Sequence, residues 1–329
     1  MFLALAVYRV DFGEMLQALR TANYSLLAPA ALCTLCGYLL RTLRWRLILS
    51  QSVRIGFPTL FGILMIGFAT NNLVPARLGE LARAFLGRQR TGVRKTFFIA
   101  TIFLERVFDG LVLILILFAL STRLSLPEWG REVQFAATLV FFGLAGGVAL
   151  LLGRQRLAAS LLRRAAGSLP ERFGFWVSSA FEMFLMGLAS MRRFRRVGAV
   201  AVISCTIWFL EGLSYYLLAL GFDLPLSPQR LIAAVALLLV MVNLGIMIPS
   251  APGYVGTFQF FAVSALSVFD VPRETGLAIS VVSHLMQYIL VTSIGLYFFS
   301  RQNIRLGSLF QSEPSGAEVS APSASSGAR

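Results

Sequence analysis

The chain has 329 residues, enough for two ordinary soluble domains, but 57% are hydrophobic and only 13% are charged. Soluble domains carry about 25% charged and about 45–50% apolar residues, so this composition excludes a water-solvated fold. The balance is nonetheless strongly basic, 29 Lys and Arg against 15 Asp and Glu, and on a lipid-embedded chain that excess points to anionic headgroups rather than nucleic acid. Lys95 is the only lysine. Near-exclusive arginine suits planar phosphate forks, or simply follows codon usage.

The start of the chain, Met1 to Tyr8, is apolar but too short to span, and Arg9 and Asp11 follow it. It lacks a signal-peptide pattern and is expected to be the remainder of a truncated first membrane helix. A crossing needs about 20 apolar residues. Segments 25–43, 97–120, 133–152, 197–220 and 276–299 meet that requirement. Two further regions are apolar but broken. Residues 57–73 run into Asn71 and Asn72 and then Pro75-Ala76-Arg77-Leu78-Gly79-Glu80. Residues 231–248 run into Pro249-Ser250-Ala251-Pro252-Gly253-Tyr254-Val255-Gly256, after which apolar sequence resumes to Phe269. The tail, 306–329, is mostly Ser, Ala, Pro and Gly without period and is expected to be disordered. Cys33, Cys36 and Cys205 lie in apolar runs and read as small buried hydrophobes. His284 is the only histidine, so neither a metal set nor a cofactor is expected.

Arginine fixes the expected orientation. Region 154–196 holds nine arginines against Glu171 and Glu182, so it should be cytoplasmic, with amphipathic stretches on the membrane surface. Working outward, 97–120 leaves the cytoplasm and 25–43 returns to it, placing Arg41, Arg44 and Arg46 inside. Arg54 and the basic stretch 77–95 then share one side, so 57–73 cannot be a full crossing. A re-entrant hairpin resolves the parity: 57–73 dips in, breaks near Pro75, and 76–89 returns. The same argument makes 231–269 a hairpin entering from the opposite face. The expected fold is therefore an all-α polytopic membrane protein, an inverted-repeat helical bundle with two re-entrant helical hairpins. It would form one transmembrane domain over 1–305, with half one 1–120, half two 133–305 and a basic cytoplasmic loop 153–196. The expected location is the inner membrane, with loop and tail cytoplasmic.

Pro75-x-x-x-Gly79-Glu80 matches Pro252-x-x-x-Gly256-Thr257, and paired broken segments in two halves are the sequence pointer to a transporter's binding site. Both prolines suit the first turn of a helix, where a missing N–H costs nothing. Each hairpin would then aim a helix N-terminus, roughly half a positive charge, at the bilayer middle. Together with Arg77 these ends would hold an anion. Asn71 and Asn72 would bind a headgroup, or merely cap the turn, and Gly253, Tyr254, Phe258 and Gln259 would border the second helix start. A charge inside a span costs about 2.5–3.5 kcal/mol on insertion scales, which draws attention to Glu105, Arg106 and Asp109. Glu105 and Asp109 share a helix face, Arg106 reaches Asp109 at i+3, and Glu80 is a candidate neighbour of Arg106. This cluster either locks helices or serves a substrate or proton. His284, at about the depth of Glu105, is an interhelical donor or a proton relay. Glu211 shows no partner. The candidate substrate-binding set is thus Asn71, Asn72, Pro75, Arg77, Gly79, Glu80, Glu105, Arg106, Asp109, Pro252, Gly253, Tyr254, Gly256, Thr257 and His284.

Four ordered motifs carry a resemblance: Arg44-Trp45-Arg46, the run Asn71 to Arg83, Glu105-Arg106-Val107-Phe108-Asp109-Gly110, and the run Pro249 to Thr257. They resemble the lysylphosphatidylglycerol synthase transmembrane-region family, flippase-like integral membrane proteins, up to about Arg305. The resemblance implies an inner-membrane protein that moves anionic or phosphorylated lipids between leaflets, such as modified phosphatidylglycerol or polyprenyl-phosphate-linked sugars. Full-length synthases add a large soluble aminoacyl-transfer domain, for which these 329 residues have no place, so enzyme activity is not expected. Two other readings stand beside a translocase. One is a non-transporting scaffold that recruits a lipid-modifying enzyme through 154–196. The other is a membrane-embedded transferase with Glu105, Asp109 or His284 as base. Expected partners are an anionic membrane lipid, a lipid-modifying enzyme and a second copy in a homodimer, with no nucleic acid. No nucleotide-binding loop is visible to supply ATP drive. Cysteines at positions 87 and 270 should react with an impermeant maleimide from the cytoplasmic and the opposite side respectively; reaction from one common side would break the hairpin pairing.

Overall fold

A computed structural model of the protein describes residues 1–49, 53–74, 78–122, 194–247 and 251–301, with isolated positions 135, 139 and 143. The expected crossing at 133–152, nearly all of the basic loop and the tail lie outside the described residues, as do Pro75 and Arg77. What is described is helical: α1 (Phe2–Val7), α2 (Phe12–Thr21), α3 (Leu27–Leu49), α4 (Phe57–Leu73), α5 (Gly79–Thr91), α6 (Lys95–Ser121), α7 (Phe194–Leu220), α8 (Pro228–Gly245), α9 (Thr257–Ser267) and α10 (Arg273–Arg301). Four stretches are long and apolar enough to cross a membrane: Tyr24–Leu49, Arg195–Leu220, Pro228–Gly245 and Arg273–Arg301. The fold is an all-α polytopic membrane protein. Arg195 and Arg196, expected in the loop, already belong to the first turn of α7.

The amino-terminal region differs from expectation. It forms two short helices. Asp11 caps α2 by accepting from the N–H groups of Gly13 and Glu14 at 2.7 and 3.2 Å, a signal that Asp11-x-x-Glu14 carries in the sequence. Met15 of α2 packs with Val10, Val263 and Leu277. In α1, Phe2 sits 5.4 Å from the Phe260 ring of α9.

The two halves pack in one pattern. α4 lies on α5 as α8 lies on α9, and α5 on α6 as α9 on α10. Across the halves, α4 packs on α10 and α8 on α6, while α3 and α7 share the central interface. Two apolar clusters form, one around Trp45, Ile63 and Phe98 that takes in Val291 of α10, and one around Leu238, Phe258 and Leu266 that takes in Leu113 of α6. Lipid gives helices little hydrophobic reason to associate, so close backbone approach and dispersion supply the attraction. Gly295 shows the approach: a Cβ there would collide with the Ala69 methyl and lie 2.6 Å from the Met65 carbonyl oxygen.

Both broken regions are helix–break–helix units with unequal arms. The first arms, α4 and α8, have 17 and 18 residues, about 26 and 27 Å at 1.5 Å per residue. The second arms, α5 and α9, have 13 and 11 residues, about 20 and 17 Å. A turn at the middle of a hydrocarbon core about 30 Å thick needs about ten residues per arm. The second arms approach that length and the first arms exceed it. The breaks meet: a Cβ on Gly253 would lie 3.2 Å from the carbonyl oxygen of Asn72. Gly87 is packed on the Phe98 ring, so the accessibility reporter for α5 belongs at exposed Arg90. Overpacking at a close helix contact costs about 1–3 kcal/mol. Gly295→Ala should therefore lower the melting temperature of the solubilised protein clearly. Gly110→Ala, where a Cβ meets nothing within 4 Å, should change stability by no more than about 0.5 kcal/mol.

Candidate functional site

Charge in a low-dielectric interior has to be paired and hydrogen-bonded, because an isolated buried ion loses its hydration with nothing in return. Asp109 on α6 meets this demand most fully. Arg44 of α3 grips it as a fork, Nη1 donating to Oδ1 at 2.6 Å and Nη2 to Oδ2 at 3.1 Å. The indole N–H of Trp208, from α7, donates to Oδ1 at 3.1 Å. Arg41 and Arg106 approach Oδ2 at 3.8 and 3.7 Å. One turn away, Glu105 accepts from Arg83 of α5 at 2.7 Å, and the Arg83 guanidinium lies 4.0 Å over the Trp45 ring. Glu211 of α7 takes Arg41 at 3.2 Å and the Gln287 amide at 3.2 Å.

This arrangement corrects the sequence reading of α3. Arg41 and Arg44 are not cytoplasmic surface charges; they are buried at 8% and 1% exposure, inside the bundle. Arg46 is exposed. Counting all Arg at a helix end as topology signals hides such residues, although Arg41 and Arg44, three apart, share one helix face. Arg83, and Arg41 as the partner of Glu211, escaped the reading for the same reason: the acids inside the spans were visible, but their bases were assigned to water. Cys205, expected to be buried, is exposed on α7, and Cys33 and Cys36 are half-buried.

A polar cavity of about 110 Å³ lies between the two breaks. Of the predicted residues, Asn71, Asn72, Glu80, Arg106, Tyr254 and His284 line it. Arg41, Glu211 and Gln287 join them, with Tyr38, Trp208 and Tyr288 as aromatic walls. Arg106 pairs with Glu80, Nε to Oε1 at 3.4 Å, and both side chains are about one-third exposed. Among the described residues, Arg41 and Arg106 on this wall are balanced by Glu80 and Glu211. Glu105 and Asp109 stand behind it and hold the arginines.

The helix starts differ from expectation. α5 opens at Gly79, and its first N–H is taken by the Asn71 side chain at 2.8 Å. α9 opens at Thr257; Pro252 is exposed and begins only the short turn Pro252–Tyr254. Gly253 and Tyr254 in that turn both have positive φ, 63° and 61°, a conformation that strains a tyrosine. The N-cap of α9 is Gly256, φ 88°, and its N–H donates to the Gln259 side chain at 2.7 Å. Both helix starts thus spend N–H groups on protein side chains, and the positive charge offered to an anion comes chiefly from arginine.

Such a bundle, with halves of matching packing and a cavity where their breaks meet, defines an all-α polytopic membrane protein. The chain belongs to the lysylphosphatidylglycerol synthase transmembrane-region family, whose pattern matches residues 1–295. It is similar to glycosyltransferase AglD of Haloferax volcanii, 26% identical across 89% of this chain and 51% of that protein. The chain therefore spans about half the length of that relative. It is also similar to a UPF0104 membrane protein of Methanothermobacter thermautotrophicus, 29% identical across 90% of each chain. UPF0104 membrane protein MJ1078 of Methanocaldococcus jannaschii is 25% identical over 70% of this chain and 92% of its own. No solved structure matches the chain.

Removing one member of a buried pair leaves the other charge uncompensated and costs about 3–5 kcal/mol, whereas replacing both by apolar groups of similar size is often tolerated. Asp109→Leu alone should sharply reduce stability in thermal unfolding of the solubilised protein. Adding Arg44→Met should recover part of that loss; strictly additive losses would show that the pair does not act as a unit.

Proposed function

We propose that the chain carries a lipid with a phosphorylated headgroup across the membrane, holding that headgroup in the cavity between the two helix breaks. The observation that carries this reading is the Arg106–Glu80 pair. The ion pairs of Arg41, Arg44 and Arg83 have side chains exposed by 10% or less, while Arg106 and Glu80 are exposed by 31% and 37% and face the cavity. A phosphate offers guanidinium two acceptors in a matching plane. It would take Arg106 in exchange for Glu80, so the anion enters by substitution in a wall that is otherwise neutral. Asn72 from one break, whose amide donates to Thr292 at 3.0 Å, and Tyr254 from the other line the same cavity.

Membership of a family named for lysylphosphatidylglycerol synthase supports a lipid substrate, and the name of the Haloferax relative supports a glycolipid. Modified phosphatidylglycerol and a polyprenyl-phosphate-linked sugar are the two headgroup chemistries that fit. In this reading the halves 1–120 and 133–305 are oppositely oriented in an inner membrane, their hairpins enter from opposite faces, and region 154–196 is cytoplasmic. A membrane-embedded transferase is the second reading, favoured by that relative's name and by the cavity carboxylates Glu80 and Glu211.

Hydrogen bonds to charged groups are worth about 1.5–3 kcal/mol, or about 10- to 100-fold in binding. In proteoliposomes the protein should move fluorescent phosphatidylglycerol between leaflets, and Arg106→Gln should slow that movement by about this factor. Arg301→Gln, at the exposed end of α10, should leave it unchanged. Movement insensitive to Arg106→Gln would remove the cavity as the headgroup site, and none by wild-type protein would turn attention to the transferase.

A further inference from the structure

The second helix break is tied by a hydrogen-bond chain whose direction is fixed by chemistry alone. The backbone N–H of Gly256 can only donate, and it donates to the side chain of Gln259 at 2.7 Å. That atom must therefore be the carbonyl oxygen Oε1, which leaves the amide nitrogen Nε2 facing His284 Nδ1 at 3.0 Å. An amide nitrogen can only donate, so Nδ1 must accept, and it accepts only while unprotonated. The imidazole is held in place by stacking on Phe258, 4.5 Å between centroids at 7°, and by the edge of Tyr288 at 6.3 Å. It lines the same cavity as Arg106.

We propose that His284 is a proton site coupled to the second hairpin: a proton arriving at Nδ1 breaks the Gln259 cap and frees the start of α9. An imidazolium presents N–H at Nδ1, so Gln259 must turn its oxygen toward His284. Its NH2 group then faces the Gly256 N–H, donor against donor, and the cap is lost. The break it leaves already carries strain at Tyr254, φ 61°, and Gly253 rests on Asn72 of the first break. Release at Gly256 therefore reaches the contact between the breaks. Among the described residues, the charged groups on the cavity wall are Arg41 of α3, Glu80 of α5, Arg106 of α6 and Glu211 of α7, two of each sign. The tyrosines Tyr38, Tyr215, Tyr254 and Tyr288 also line that wall. α8 contributes Asn243, which does not titrate.

The inference deepens the lipid-carrying reading by naming the proton as its coupling ion, and its first test does not require transport. With Cys33, Cys36 and Cys205 replaced by alanine, the maleimide labelling rate of Val255→Cys is divided by that of Val268→Cys, at the other end of α9; both positions are exposed. The ratio should rise about tenfold as the pH is lowered from about 8 through and below the ordinary range of histidine. His284→Gln should hold the ratio low at every pH. Gln259→Met, which cannot cap Gly256, should hold it high throughout. A flat wild-type ratio, or a pH response that survives in His284→Gln, overturns the proposal. A ratio that switches in protein that moves no lipid keeps the proton site and removes the transport reading. Lipid movement without the switch does the reverse.

Discussion

The bundle depends on one carboxylate. Asp109 reaches from α6 to Arg44 of α3 and to Trp208 of α7, and so ties the first half of the chain to the second. A carboxylate in lipid is a liability unless its acceptor sites are filled, and here two guanidinium nitrogens and an indole fill them. Because α3 and α7 form the interface on which both halves rest, the geometry that satisfies Asp109 also fixes how the halves meet. Apolar packing supplies compactness, with α10 completing the first cluster and α6 the second. The ion network sets register between them, since a fork on a carboxylate tolerates far less sliding than leucine on leucine.

The cavity follows from that arrangement. Glu105 and Asp109 together hold Arg83, Arg44 and, at longer range, Arg41 and Arg106. The first two arginines are almost wholly buried. Arg41 and Arg106 stand at the edge of the network with part of their donor set turned to the cavity, balanced by Glu211 and Glu80. A site built in this way is preorganised, because the charges that would meet a headgroup are positioned by charges behind them and not by the headgroup itself.

Much of this was legible. The broken segments near Asn71 and Pro252, the pairing of Arg106 with Glu80 and Asp109, and the long helices all follow from hydropathy, helix spacing and the cost of charge in lipid. What was hidden is instructive. Arg41 and Arg44 lie near the end of an apolar run, where a one-dimensional rule assigns basic residues to water; only the three-dimensional approach of α6 and α7 shows why they turn inward. The proline rule likewise placed the α9 start at Pro252. The observed start at Thr257 follows from an N-cap Gly256 at φ 88° and a Gln259 side chain that closes on it, a local geometry that Pro-x-x-x-Gly spacing does not encode.

The two halves share a packing plan but not a chemistry, and the difference bears on how such a bundle moves. The first break is tied by Asn71 to Gly79, a cap with no titratable member, and is backed by Arg83 and Glu105. The second is tied by Gln259 to Gly256 and His284. Two equivalent hairpins with equal ties would open with equal ease, and nothing would set an order. With one cap fixed and the other dependent on an imidazole staying unprotonated, the second hairpin is the one whose hold changes with proton activity. Directionality in a pseudo-symmetric bundle has to come from some broken symmetry, and in the described residues it lies in the side chains that close the two helix starts.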